Sequence, residues 1–206
     1  PAAFLVTTVN EPVARFFATR GWAVAFPQRR GRGASGGLYD EGFEPDRSRY
    51  SCRQELALPG VERALQDADA ALEHLRHRPW VDASRILLAG HSRGGILAVA
   101  QAVRGAVNFV GGWLGEGCVD AVAVNRATFV TGAASPHPTL WLYAARDAFY
   151  SLEHSRANFA AFIGAGGRGE FREYARAAGL EGHFLPDDPP LWGADVERYL
   201  GERFPK

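Results

Sequence analysis

The stretch Arg85-Ile-Leu-Leu-Ala-Gly-His-Ser-Arg-Gly-Gly-Ile-Leu-Ala-Val-Ala limits the possible folds more than any other part of the chain. Ile86 to Ala89 reads as a short buried strand, and the apolar run from about Gly94 reads as a helix. Between them Gly90-His91-Ser92-Arg93-Gly94 fits G-x-S-x-G. A chain that reverses so sharply from strand to helix forces its serine into a strained backbone conformation. Small residues are expected two positions before and two after it, because a Cβ there would strike neighbouring backbone. The Ser92 side chain then stands above the carboxyl edge of a sheet, near free N–H groups that favour negative charge. An oxyanion would develop there during attack on an ester carbonyl. G-x-S-x-G also arises by chance in a chain with 24 glycines. The apolar strand before it and the helix after it separate a nucleophile from a solvated turn serine.

The remaining elements alternate. Phe4 to Val9 is apolar and β-branched, which suits a strand. Asn10-Glu11-Pro12 opens a helix whose stripe is Val13, Phe16 and Phe17, and Gly21 stops it. Trp22 to Phe26 reads as a second strand, so a βαβ unit and a parallel sheet are expected. A helix is predicted over Pro59 to Arg78 from Val61, Leu65, Ala68, Leu72 and Leu75. A fourth strand is predicted over Asn108 to Leu114, a helix within Cys118 to Thr131, and a fifth strand over Thr139 to Ala144. Helix Glu153 to Ile163, strand Glu170 to Tyr174 and helix Pro189 to Phe204 complete the pattern. The expected fold class is α/β: a doubly wound, mostly parallel sheet in three α-β-α layers, one domain over 1–206, without a large cap.

Between the second strand and the long helix, Gly31, Gly33 and Gly36 match G-x-G-x-x-G. A dinucleotide site needs that motif to open a helix. Gly37, Gly42 and Pro45 follow with no helical period, so a long surface loop is expected, with Arg29, Arg30 and Arg32 as its ion-pairing anchors. His74, His77, His137 and His154 read as surface or loop residues, and His91 as a packing residue beside the serine.

Chemistry in such sheets collects at the carboxyl ends of strands. Ser92 follows the third strand, Asp147 the fifth and His183 the sixth, so all three reach one edge in the order Ser, acid, His. Ser92 needs a base to take its proton. His183 can do so near neutral pH and return it to a leaving alkoxide. Asp147 would take the second imidazole N–H, setting the tautomer and stabilising the imidazolium. Trp113, Phe149, Tyr150, Phe184 and Trp192 fall near the same edge and are candidate pocket walls, although ordinary core packing would explain them equally well.

Ser92 within GHSRGG, Asp147 after TLWLYAARD, His183 within EGHF and the loop PQRRGRGASGG together resemble the dienelactone hydrolase-like branch of the α/β-hydrolase superfamily. The resemblance covers nearly the whole chain. It implies a serine hydrolase acting on a small carboxylic ester or a lactone through an acyl-enzyme, with no cofactor and no metal. The chain departs from the family in two places. Thr7-Thr8-Val9-Asn10 stands where the family usually has His-Gly and its second oxyanion donor, which leaves the backbone N–H of Arg93 as one donor. The family's extra N-terminal strands are mostly absent, and a chain starting at Pro1 without any methionine suggests a trimmed start. Two other functions fit the same pattern: a prolyl-oligopeptidase-type peptidase, and a binding module that kept the fold without catalysis.

Net charge is zero and the isoelectric point is about 7.5, which points away from nucleic acid as a partner. No apolar run is long enough for a membrane span. Cys52 and Cys118 lie far apart in sequence and have no metal-ligand spacing; one disulfide and two inert thiols both fit. A disulfide would favour export over a cytoplasmic location. Oligomeric state is not legible.

Overall fold

The computed structural model describes residues 11–101, 104–176 and 179–205. Four strands, β1 (Leu88–His91), β2 (Ala106–Phe109), β3 (Thr139–Ala144) and β4 (Gly169–Tyr174), form a parallel sheet in sequential order. Every residue of β2 and β3 is buried. This suits two central strands covered on both faces, and it is why they read as continuous apolar runs rather than alternating ones. The helices are α1 (Glu11–Ala18), α2 (Gln54–Arg76), α3 (Arg93–Gln101), α4 (Ala121–Thr131), α5 (Leu152–Gly164) and α6 (Pro189–Arg203). α2 to α5 pack with one another in one layer, and α1 meets α6 in the other. The fold is therefore the expected mostly parallel α/β sheet with helices on both sides.

Alternate residues of the strands feed the two layers. Asn108, Trp141 and Phe171 stand in register on one face. There the Trp141 ring meets Phe129 of α4 at 4.4 Å and Phe162 of α5 at 5.3 Å between centroids. On the opposite face Phe109 meets Trp192 of α6 at 4.8 Å, and Trp192 meets Phe16 of α1 at 4.6 Å. Trp192 is fully buried in this stack, with its indole N–H donated to the carbonyl of Leu185. It ties α1 and α6 to the sheet, so its place is in the core and not in a pocket wall.

Several elements differ from the sequence expectations. Phe4 to Val9 lies outside the described residues. Trp22 to Phe26 forms no strand; among the described residues the sheet ends at β1. α2 starts at Gln54, well before Pro59, which sits inside it. The expected start missed a tertiary cap: the Asp120 carboxylate accepts the Gln54 N–H at 2.8 Å. Pro59, the sixth residue of α2, lacks the N–H that would reach back to the Glu55 carbonyl, so the helix continues without that bond. β2 stops at Phe109 rather than Leu114, because Val110 takes φ 44° and Gly111-Gly112 lead the chain away from the ladder. β1 runs to His91, two residues past Ala89.

Cys52 and Cys118 form a disulfide. It fastens the end of the irregular loop 28–53 to the segment before α4, beside the Asp120 cap. The bridge closes a sequence separation of 66 residues, and its removal should cost ~2–4 kcal/mol, chiefly by freeing the unfolded chain. Denaturant unfolding with and without reductant, and of Cys52→Ser with Cys118→Ser, should show that loss; equal midpoints would contradict it.

Candidate active site

Ser92 lies in the turn from β1 to α3 with φ 55°. Its own N–H donates to the Phe109 carbonyl at 3.0 Å, so it still belongs to the ladder. Its carbonyl accepts N–H groups from Gly95 at 2.9 Å, Ile96 at 3.3 Å and Gly112 at 3.2 Å. The turn needs Gly90, because a Cβ there would lie 2.0 Å from the Gly94 carbonyl oxygen. Gly94 itself has open space, contrary to the expectation of a small residue two positions after the serine. The demand falls one residue later: a Cβ on Gly95 would meet the Asn108 side-chain oxygen at 2.3 Å and the Gly111 Cα at 3.0 Å. α3 packs that closely on the end of β2.

A buried polar chain supports this floor. Asn108 Nδ2 donates to the Tyr143 hydroxyl at 3.1 Å, which donates to the Gly111 carbonyl at 2.7 Å. Burial pushes the Tyr143 phenol far above its ordinary pKa, so it remains a donor.

The acid and the histidine come from two other strand ends. Asp147 follows β3, and its carboxylate is fully buried. Oδ1 accepts the N–H groups of Phe149 at 2.7 Å and Tyr150 at 3.1 Å. Oδ2 lies 3.0 Å from His183 Nδ1. Arg146, just before it, is held at φ 63°, which aims Asp147 back across the edge. Gly182 makes the approach of the histidine segment possible: its N–H donates to the Arg146 carbonyl at 2.9 Å, and a Cβ would lie 2.7 Å from the Asp147 nitrogen. Glu181 braces both segments, since its Oε1 accepts the N–H of Ala148 at 2.8 Å and of His183 at 3.1 Å. The Glu181 brace was not foreseen, although E-G-H-F places it two residues before the histidine.

His91 does more than pack. Its Nε2 pairs with the His183 carbonyl oxygen at 2.8 Å, which requires the N–H there, and the two rings lie 4.7 Å apart. Burial, then repulsion from His183, lowers the His91 pKa and keeps the ring neutral. His154 is not a surface residue either. It is half-buried, takes a hydrogen bond from Asn125 Nδ2 at 3.0 Å and stacks on Tyr150, and burial lowers its pKa too.

The Arg93 backbone N–H stands in the first turn of α3, where the helix supplies no acceptor. Its side chain is pinned between the rings of Tyr50, 3.6 Å away, and Trp113, 4.5 Å away. Arg93 Nε donates to the Trp113 carbonyl at 3.1 Å, and Nη1 lies 3.4 Å from the buried Glu41 carboxylate. Arg29 also pairs with Glu41, and Arg30 with Asp67 at 2.7 Å, so these arginines do anchor the glycine-rich loop. That loop opens no helix. Of the aromatic candidates, Trp113 lies buried under Arg93 and Tyr150 is buried over Gly112. Phe149 and Phe184 are half-exposed on either side of His183, at 4.6 Å and 6.2 Å between ring centroids. A cleft of about 820 Å³ reaches Ser92 and Arg93 from between the 20–32 segment and β1.

The fold is of the α/β-hydrolase type, and the candidate site lies at the carboxyl edge of its sheet. Residues 6–178 match the dienelactone hydrolase family, and the chain belongs to that family. No curated protein matches it significantly. Among solved structures it is similar to the esterase Pf2001 of Pyrococcus furiosus, with a TM-score of 0.65 and 16% identity over 94% of this chain and 74% of that one. It is also similar to the propionate-bound thermophilic esterase Est2 of Thermogutta terrifontis, with a TM-score of 0.59 and 17% identity over 96% and 79%. The F65L form of Arabidopsis thaliana SOBER1 aligns with a TM-score of 0.56 and 16% identity over 94% and 92%.

His91 and His154 both titrate lower folded than their ordinary 6.5. Below about pH 6.5 the unfolded chain therefore binds more protons than the folded one, and stability falls as pH drops. Thermal unfolding should show this decline, and His91→Asn with His154→Asn should flatten it. An unchanged acid slope in the double variant would refute the assignment.

Proposed function

We propose that the protein hydrolyses a small carboxylic ester, open-chain or cyclised as a lactone, with Ser92 as nucleophile, His183 as general base and Asp147 as its orienting acid. The contact of His183 Nδ1 with the buried Asp147 carboxylate at 3.0 Å carries this reading. It leaves Nε2 as the nitrogen able to accept the Ser92 proton, and a buried carboxylate favours the imidazolium that results. Oγ attacks the carbonyl carbon, the C=O electron pair moves onto oxygen, and the Arg93 N–H and the α3 N-terminus favour that charge. Collapse expels the alcohol, which takes the proton from His183. Water then repeats the sequence on the acyl-enzyme and frees Ser92. Neither a cofactor nor a metal is needed for these steps.

Phe149 and Phe184 offer an apolar rim for the acyl or alcohol part. We take Cys52–Cys118 as favouring an oxidising compartment. A peptidase acting on amides and a non-catalytic binding module remain the rivals. A hydrolase is preferred over the binding module because Asp147 and His183 are paired and buried, a costly arrangement for a surface that only binds.

A fluorophosphonate should label the wild type and not Ser92→Ala. Asp147→Asn should lower kcat on p-nitrophenyl acetate by about 10⁴, as loss of the correct tautomer does elsewhere. Turnover of peptide amides in preference to esters would favour the peptidase, and no labelling at all would favour the binding module.

A further inference from the structure

The His183 imidazole is almost closed in, and the residue is only 7% exposed. Among the described residues four rings stand around it: Phe149 at 4.6 Å, His91 at 4.7 Å, Tyr150 at 5.7 Å and Phe184 at 6.2 Å between centroids. Tyr150 is buried, and His91 is engaged with the His183 carbonyl. Phe149 and Phe184 are each 50% exposed. Both are placed by the backbone that places the acid and the histidine. The Phe149 N–H donates to Asp147 Oδ1 at 2.7 Å, and its carbonyl accepts the Glu116 N–H at 2.9 Å. Phe184 follows His183 directly in the short helical turn Gly182–Asp187. Gly115, whose Cβ would lie 3.6 Å from Phe149 Cδ1, adds no side chain to cover that ring. The approach to the imidazole therefore runs past two phenyl groups that the fold holds open to solvent.

Resting on the serine-hydrolase reading, we propose that Phe149 and Phe184 form the subsite for the alcohol part of the ester, and that the substrates are esters of an aromatic or bulky apolar alcohol. In acylation the bond from Ser92 Oγ to the carbonyl carbon forms. The bond from that carbon to the alkoxy oxygen breaks, and its electron pair goes to the oxygen. The Ser92 proton, carried by His183 in between, completes the alcohol. The departing oxygen must come within hydrogen-bond reach of His183 Nε2, while the carbonyl oxygen turns to the Arg93 N–H. The group attached to the departing oxygen is then the part of the substrate nearest the imidazole. Of the four rings there, the two left open to receive it are the phenyl groups. Neither ring offers a hydrogen bond to a polyol, so a polar alcohol would give up water there without replacement. An aromatic alcohol can pack offset or edge-on against them.

Benzyl acetate and methyl phenylacetate are isomers that carry the same phenyl group on opposite sides of the ester. With each kcat/KM divided by the rate of hydroxide hydrolysis, the wild type should prefer benzyl acetate by about tenfold or more, the discrimination an apolar pocket gives. That comparison needs no variant. In the double variant Phe149→Ala with Phe184→Ala, and more weakly in Phe184→Ala alone, the preference should shrink towards one. Circular dichroism checks folding, and the single variant decides if the double one does not fold. Use of the two isomers within about twofold of each other, or a preference for methyl phenylacetate, overturns the inference, because the rings then do not read the alcohol. So does a benzyl preference that the folded variants keep, since another surface then supplies it. In either case loss of fluorophosphonate labelling in Ser92→Ala leaves the serine reading standing. If the wild type is neither labelled nor active on these esters, that reading fails and takes this one with it.

Discussion

The carbonyl oxygen of Ser92 collects three N–H groups: two from the first turn of α3 and one from Gly112, beyond the end of β2. That convergence holds a non-glycine residue at a left-handed φ, where an L side chain is disfavoured by about 1–2 kcal/mol. The surrounding chain is shaped to allow it. Gly90 lets strand and helix cross at contact distance, Gly95 lets α3 settle on Asn108, and Gly111-Gly112 carry β2 away beneath the serine. A side chain at Gly90 or Gly95 would push α3 off the sheet and disperse the three donors.

The second requirement is that polar groups brought to this edge find partners, since a buried unpaired one is costly. Asp147 is the clearest case. Its two oxygens take two backbone N–H groups and the His183 ring, so the carboxylate is fully buried without being orphaned. Glu181 ties the acid segment to the histidine segment through their N–H groups, and His91 holds the His183 carbonyl from the serine side. The three strand ends are thus cross-linked through backbone as well as side chains. This limits how far the His183 imidazole can drift from the Asp147 carboxylate.

The long loop 28–53 belongs to the same scheme although it carries none of the proposed reacting groups. It delivers Glu41 and Tyr50 to the Arg93 guanidinium, and so braces the residue that follows Ser92. The loop is itself held at both ends, by Arg30–Asp67 on α2 and by the disulfide to Cys118. Its glycines at positive φ serve the close turns that this path requires; Gly31, for example, runs against the Tyr39 backbone. What resembles a phosphate-binding motif in sequence is here the fold of an anchoring loop.

Short-range pattern determined much of this protein. Apolar periodicity placed most of the helices and central strands, because each depends on residues within one or two turns. The order Ser92, Asp147, His183 after β1, β3 and β4 was legible because parallel strands deliver all their carboxyl ends to one side. The tertiary structure alone decided matters that depend on partners far away in the chain. Asp120 caps α2 from 66 residues off, so the start of that helix could not be seen locally. The need for glycine at 95 rather than 94 comes from Asn108 on another strand. Trp192 looked like a rim residue until Phe16 and Phe109 enclosed it, and the duties of His91 and Glu181 came from bonds to segments that sequence distance hides. Periodicity records which face of an element is buried; which atoms meet there is set only when the elements pack.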